Sequence, residues 1–191
     1  MNNAPAPQTP RRIGRWARIS LRGLFILMTV VAISVGLFIK EMRDHRAAIV
    51  AVSESHGAIS TQKYSGPNWL RRFVSDEKYL MNPVAVRFNS THPLTDAQLR
   101  SLIPHLSEFD DLTYVNLYRS DVTDDGIKEL LPLSHRLEAI DIRLTSVSDS
   151  SVPVLKRFPQ LTLLRVHGSA ITEQGREEIR QALPNCKLDV P

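Results

Sequence analysis

The sequence predicts an α/β protein: a short solenoid of about four strand–helix repeats plus caps, behind one N-terminal transmembrane helix. Three observations lead there. An uncharged apolar run follows a tail whose only charges are arginines, the C-terminal part of the chain repeats itself at a near-fixed period, and within each period alternating apolar residues give way to helical spacing. The 191 residues accordingly divide into a basic cytoplasmic tail (1–22), a signal anchor (23–39), a juxtamembrane helix with an N-terminal cap (40–82) and a repeat domain (83–191).

The anchor follows from charge and length together. Lys and Arg number 24 against 20 Asp and Glu, a net +4 that by itself raises a nucleic-acid-binding reading. Its location removes that reading. Arg11, Arg12, Arg15, Arg18 and Arg22 make residues 1–22 a tail of +5 without an acid, leaving 19 basic and 20 acidic residues in the remainder, a net of −1. Next comes GLFILMTVVAISVGLFI, residues 23–39, a run of 17 without a charge. As a helix it spans about 26 Å, the lower edge of what a bilayer core requires. Arg22 and Lys40 are placed to snorkel at its ends and Trp16 to sit at headgroup level.

The alternatives are a cleavable signal peptide and a buried core helix. The run exceeds the roughly 7–15 residues of a signal-peptide core and is followed by KEMRDHR in place of a small-residue cleavage site. Flanking arginines argue against a buried helix. After Arg11-Arg12, Ile13 and Gly14 do not continue a twin-arginine export pattern. Five arginines precede the span, whereas Lys40, Arg43 and Arg46 follow it mixed with Glu41 and Asp44, so the positive-inside rule puts the N-terminus in the cytoplasm and the C-terminal domain outside. Cys186 is the sole cysteine, which excludes an intramolecular disulfide framework.

Beyond the span, Lys40 to His56 reads as a continuing helix with Gly57 as its stop. Residues 58–64 form a candidate short strand, and Ser65 and Pro67 open a candidate helix whose Trp69, Leu70 and Phe73 share one face. That apolar face is expected to plug the end of a repeat stack.

Self-similarity begins near residue 84. LTYVNLYRSDVTDDGIKELLPL from Leu112, LEAIDIRLTSVSDSSVPVLKRF from Leu137 and LTLLRVHGSAITEQGREEIRQAL from Leu161 follow at spacings of 25 and 24 residues. Val115, Ile140 and Leu164 come three residues later, Leu117, Ile142 and Val166 five later, then Ser120, Thr145 and Ser169, then Val122, Val147 and Ile171. Thr123-Asp124, Ser148-Asp149 and Thr172-Glu173 come next, with Leu130, Leu155 and Ile179 marking the middle of the helix that follows. A looser first unit carries Val86 and Phe88, an insertion around His92-Pro93, and LTDAQLRSL. Period-2 spacing turns two side chains per strand inward. The Ser/Thr-Asp pair caps the helix start with a hydroxyl and places an acid at its positive end. Ser120, Thr145 and Ser169 are expected to satisfy the turn backbone as a polar ladder. A single unit cannot bury its apolar face, so the units must stack.

In these positions the chain resembles leucine-rich repeat proteins, in the form LxxLxLxx[ST]x[VI][ST][DE], similar to the cysteine-containing subtype with Ser or Thr near where that subtype often has Cys. Two departures stand out: Ser151 replaces the Gly126 and Gly175 of its neighbours, and Arg176 stands where Ile127 and Val152 are apolar. The layout as a whole, ending in Leu183-Pro184-Asn185-Cys186, also resembles small bacterial single-span membrane-anchored proteins of this repeat class. The resemblance implies architecture and a binding role only; the cell envelope is the location expected of an anchored outer domain.

In such repeats the outward strand positions line a concave face. Here they are Ala85, Arg87 and Asn89; Tyr114, Asn116 and Tyr118; Ala139, Asp141 and Arg143; and Leu163, Arg165 and His167. With strands about 4.8 Å apart, Arg87, Asn116, Asp141 and Arg165 form one column and Asn89, Tyr118, Arg143 and His167 another. Tyr and Arg beside mixed charges suit recognition of a protein or glycan. The plainer alternative is a solvated face on which Asp141 and Arg165 neutralise each other. Its area, about 300–400 Å² from strand dimensions, falls short of the roughly 800 Å² per partner of a standard interface, so confinement to a membrane or homo-oligomerisation would have to assist.

An enzyme is not expected. Asp141, His167 and Ser120 permit an acid–base–nucleophile set by residue type, which makes a hydrolase the alternative from another class. A structural envelope protein acting by self-association is a third. The six histidines show no metal-ligand spacing with one another or with Cys186, and the eight glycines form no phosphate loop, so no metal or cofactor is expected. Asn89-Ser90-Thr91 matches a glycosylation acceptor, of consequence only in a secretory eukaryotic setting. Orientation and anionic-lipid attraction account for the arginine tail without nucleic acid.

Overall fold

The computed structural model describes residues 21–62, 82–88 and 91–189. The arginines before position 21, Trp16, the Trp69 cluster and Asn89 lie outside these residues. The chain divides after Lys40 into two compact units. Helix α1 (Leu21–Glu54) begins in the first and ends in the second.

The apolar part of α1 is long and apolar enough to cross a membrane, and it exposes Phe25, Ile33 and Phe38 among other large side chains. Its two hydroxyls fold back on the helix. Thr29 Oγ1 donates to the Phe25 carbonyl and Ser34 Oγ to that of Val30, each at 2.9 Å, so neither seeks a partner beyond its own turn.

The second unit is a mixed α/β domain. The last turns of α1 bury Ala48 and Val52, and the His45 ring meets Phe109 edge-on at 5.2 Å. The expected helix stop at Gly57 is corrected. α1 ends at Glu54, His56 takes the left-handed conformation (φ 57°), and Gly57 opens strand β1 (Gly57–Gln62). A Cβ on Gly57 would stand 2.6 Å from Val52 Cγ1 and 2.9 Å from the Val52 carbonyl, so glycine is required there for close approach.

The six-stranded sheet runs in chain order from β1 to β6 and is open. β1 pairs antiparallel with β2 (Asn82–Phe88); β3 (Tyr114–Asn116), β4 (Ala139–Asp141), β5 (Leu163–Arg165) and β6 (Lys187–Asp189) continue parallel. One sequence period equals one step across the sheet, so that Val86, Val115, Ile140, Leu164 and Leu188 lie abreast. The first four of these are fully buried, as are Leu117, Ile142 and Val166. A single core results, to which Phe109, Leu133 and Phe158 also belong.

Helices return the chain over the sheet: α2 (Asp96–Ser107), α3 (Asp124–Glu129), α4 (Val152–Leu155) and α5 (Glu173–Ala182). α3 and α4, with 6 and 4 residues, are shorter than α2 and α5, with 12 and 10. Leu130 and Leu155 stand at helix ends rather than in the middle, although both are fully buried as expected. Proline is the reason. Pro153 lacks the N–H that a longer helix would need and is confined to the first turn of α4, while Pro132 sits near the start of a 3₁₀ turn after α3.

Two sets of polar contacts hold the units. Ser120, Thr145 and Ser169 each donate to the carbonyl three residues back (Leu117, Ile142 and Val166, at 2.6, 2.7 and 2.7 Å), so they satisfy their own turns one at a time, without forming a ladder between units. The connection between units is made by the first-turn carboxylates. Asp96 accepts from the Thr123 N–H (2.9 Å) and hydroxyl (2.6 Å), Asp124 from those of Ser148 (2.8 and 2.6 Å), and Asp149 from those of Thr172 (2.8 and 2.6 Å). A Cβ on Gly126 or Gly175 would overlap the Asp96 or Asp149 carboxylate. Ser151 occupies the same place in the middle unit and donates its hydroxyl to Asp124, which accounts for the exchange of glycine for serine.

Candidate interaction face

The register places Arg87, Asn116, Asp141, Arg165 and Asp189 in one column of the outward face, and Ala85, Tyr114, Ala139, Leu163 and Lys187 in the column beside it. Asp189 joins through β6, a strand that sequence reasoning did not single out because three residues are too few to show a period. Tyr118, Arg143 and His167 lie just past the named strands. The ladder continues there, with the Leu117 N–H donating to the Asp141 carbonyl (2.8 Å), Arg119 to Arg143 (3.0 Å) and Leu144 to His167 (3.0 Å).

Asp141 is fully buried, although alternation placed it outward. The correction is physical: its neighbours close over it. Arg143 grips the carboxylate with Nε at 2.9 and 3.1 Å from its two oxygens and Nη2 at 2.6 Å, and the Arg143 backbone N–H donates to Oδ1 at 3.2 Å. Arg165 Nη1 approaches at 3.5 Å and the Tyr114 hydroxyl donates at 3.5 Å. The pairing of Asp141 with Arg165 is therefore secondary to that with Arg143. The hydrogen bond to Asp141 raises the Arg143 guanidinium above its already high value. Burial, then the Asp141 charge, raises the Tyr114 phenol. Asn116 repeats the Asp141 device one strand away, its Oδ1 accepting from the Tyr118 N–H at 2.8 Å.

Arginines cover the aromatic rings. Arg143 lies 5.1 Å from the Tyr118 centroid and Arg87 5.9 Å from that of Tyr114. Arg165 Nε is 3.4 Å from Asp189 Oδ2, an ion pair by distance, yet it is buried without a directed hydrogen bond. At the rim, Arg119 and Leu144 adopt left-handed backbone (φ 55° and 53°) where the next unit has Gly168 (φ 71°). The shared conformation escaped sequence reasoning because glycine marks only one of the three positions.

The acid–base–nucleophile set is not assembled. Asp141 is held by Arg143, the Ser120 hydroxyl donates to Leu117, and among the described residues no hydrogen bond joins His167, whose side chain is exposed, to either. Among those residues, too, no group of three His, Cys, Asp or Glu side chains is arranged to hold a metal ion. Cys186 is buried, and burial pushes its thiol up to about 11. Elsewhere on the domain, a cleft of about 340 Å³ near the N-terminal ends of β2 and β3 is lined by Glu41, His45, Pro83, Glu108, Asp110 and Asp111.

No protein-family model matches the chain, and no curated protein matches it. Among solved structures, it is similar to the actin-binding site 2 of leiomodin-1, with 15% identity and a TM-score of 0.47 over 56% of this chain and 70% of that one.

Proposed function

We propose that the chain is a membrane-anchored, non-enzymatic interaction module of the leucine-rich repeat class, with its N-terminus in the cytoplasm and a short solenoid outside that recognises a protein or envelope glycan through its concave face. The observation that carries this reading is the outward face itself, where Tyr114, Tyr118, Arg143 and Arg165 stand half-buried around Asp141. Rings and guanidiniums locked by stacking and ion pairing lose little freedom on binding, which suits recognition. The repeat reading is supported by in-register strands at the sequence period and by the carboxylate contacts between successive units. The orientation rests on the arginine tail.

Crosslinking on intact membranes tests the face. Tyr118→Ala leaves the Asp141–Arg143 pair intact and should remove the crosslinked partner; an unchanged partner set counts against this face. Protease added to sealed cells expressing the chain should digest the C-terminal domain without lysis, and protection until lysis would reverse the orientation.

A further inference from the structure

We infer that the outward sheet face takes an extended acidic peptide segment, with Arg87 and Arg165 receiving its carboxylates. The inference rests on the proposal that this face is the interaction surface, and it adds the chemistry of what binds there.

Charge on the face is asymmetric in depth. Asp141 is fully buried, whereas the side chains of Arg143 and Arg165 are 31% and 34% exposed and Arg87 is exposed. A partner approaching β2 to β5 therefore meets guanidiniums, because the one carboxylate of these strands lies beneath Arg143 and the half-exposed Asp189 of β6 is paired with Arg165. The acids of the domain gather elsewhere, as in the cleft of Glu41, Glu108, Asp110 and Asp111. The near-neutral total of the region after the tail conceals this separation.

The guanidiniums also have donors to spare. Each carries five N–H groups, and Arg143 turns only Nε and Nη2 toward Asp141. Arg165 sets Nη1 3.5 Å from Asp141 and its buried Nε 3.4 Å from Asp189, which leaves the exposed part of the guanidinium to a partner, and among the described residues the ring contact given for Arg87 is with Tyr114. A planar guanidinium with unused N–H edges matches a carboxylate in shape as well as charge.

Spacing favours a peptide. Arg87 and Arg165 share a column on β2 and β5, three strand steps or about 14 Å apart. An extended chain covers that distance in about four residues, and side chains at i and i+4 point the same way.

The test is fluorescence anisotropy on the full chain in phosphatidylcholine nanodiscs. The probe is a labelled Gly/Ser peptide with two glutamates four residues apart, beside a matched lysine peptide and a galacturonic acid hexamer. The glutamate peptide should bind in preference to both. Arg87→Gln and Arg165→Gln should each weaken it at least about tenfold with the circular dichroism spectrum unchanged, and replacing Arg11, Arg12, Arg15 and Arg18 with Gln should leave it unaltered. Equal binding of the lysine peptide, tighter binding of the uronate, indifference to the face variants, dependence on the tail, or an Arg165-dependent dimer that excludes the peptide would each overturn the inference. A crosslinked partner that still depends on Tyr118 would then sink the acidic ligand alone; independence of both from the face would sink the interaction reading with it.

Discussion

Asp141 organises the outward face, and removing it tests how. Asp141→Ala strips the Arg143 guanidinium and backbone N–H of their acceptor, removes the acceptor of the Tyr114 hydroxyl and leaves Arg165 with Asp189 alone. The urea midpoint should fall by the equivalent of about 2–4 kcal/mol. A second test concerns the position shared by Gly126, Ser151 and Gly175. Gly126→Ala and Gly175→Ala drive a Cβ into a carboxylate already committed to the next unit, at a cost of about 1–3 kcal/mol. Ser151→Ala only loses a hydrogen bond to Asp124 and should cost about 1 kcal/mol. Thermal unfolding of the three variants should rank them in that order. From sequence the serine is a departure from the repeat; its reason is a contact with a residue 27 positions earlier, which no local pattern displays.

At the scale of elements, the first-turn aspartates join units as well as starting helices. Burial alone would raise the Asp124 carboxyl, but hydrogen bonds from Ser148 and Ser151 outweigh it and hold the group below its ordinary value. A carboxyl lowered on folding adds stability that is present above the unfolded value of about 4 and is lost as pH falls through the folded value. The penalty of Asp124→Asn should therefore be full at pH 7 and shrink at pH 3, as read from urea midpoints of variant and wild type; a constant or growing gap would contradict the assignment. Strands β3, β4 and β5 are legible in the sequence because inward alternation at Val115/Leu117, Ile140/Ile142 and Leu164/Val166 is the direct imprint of a one-sided sheet. The shortness of α3 and α4 is written in Pro132 and Pro153, which a repeat template overrides. β6 carries too few residues to show a pattern.

For the whole molecule, the apolar run is legible from residue order alone, since the length and hydropathy that let a helix cross a membrane are set by composition. The outward columns are legible too, through period 2. The depth of Asp141 is not, because burial by neighbouring guanidiniums depends on side-chain reach across strands. On the proposed reading, anchoring would offset the small size of the face by raising the effective concentration of a partner confined to the same membrane. The central claim, that this face holds a partner, is tested most directly by a photoreactive residue placed at position 118 in living cells, against one at Gln181 on the helical side. A discrete adduct at 118, absent at 181 and diminished by Arg165→Gln, is the predicted result. Equal labelling at both positions, or an adduct only at 181, would contradict it.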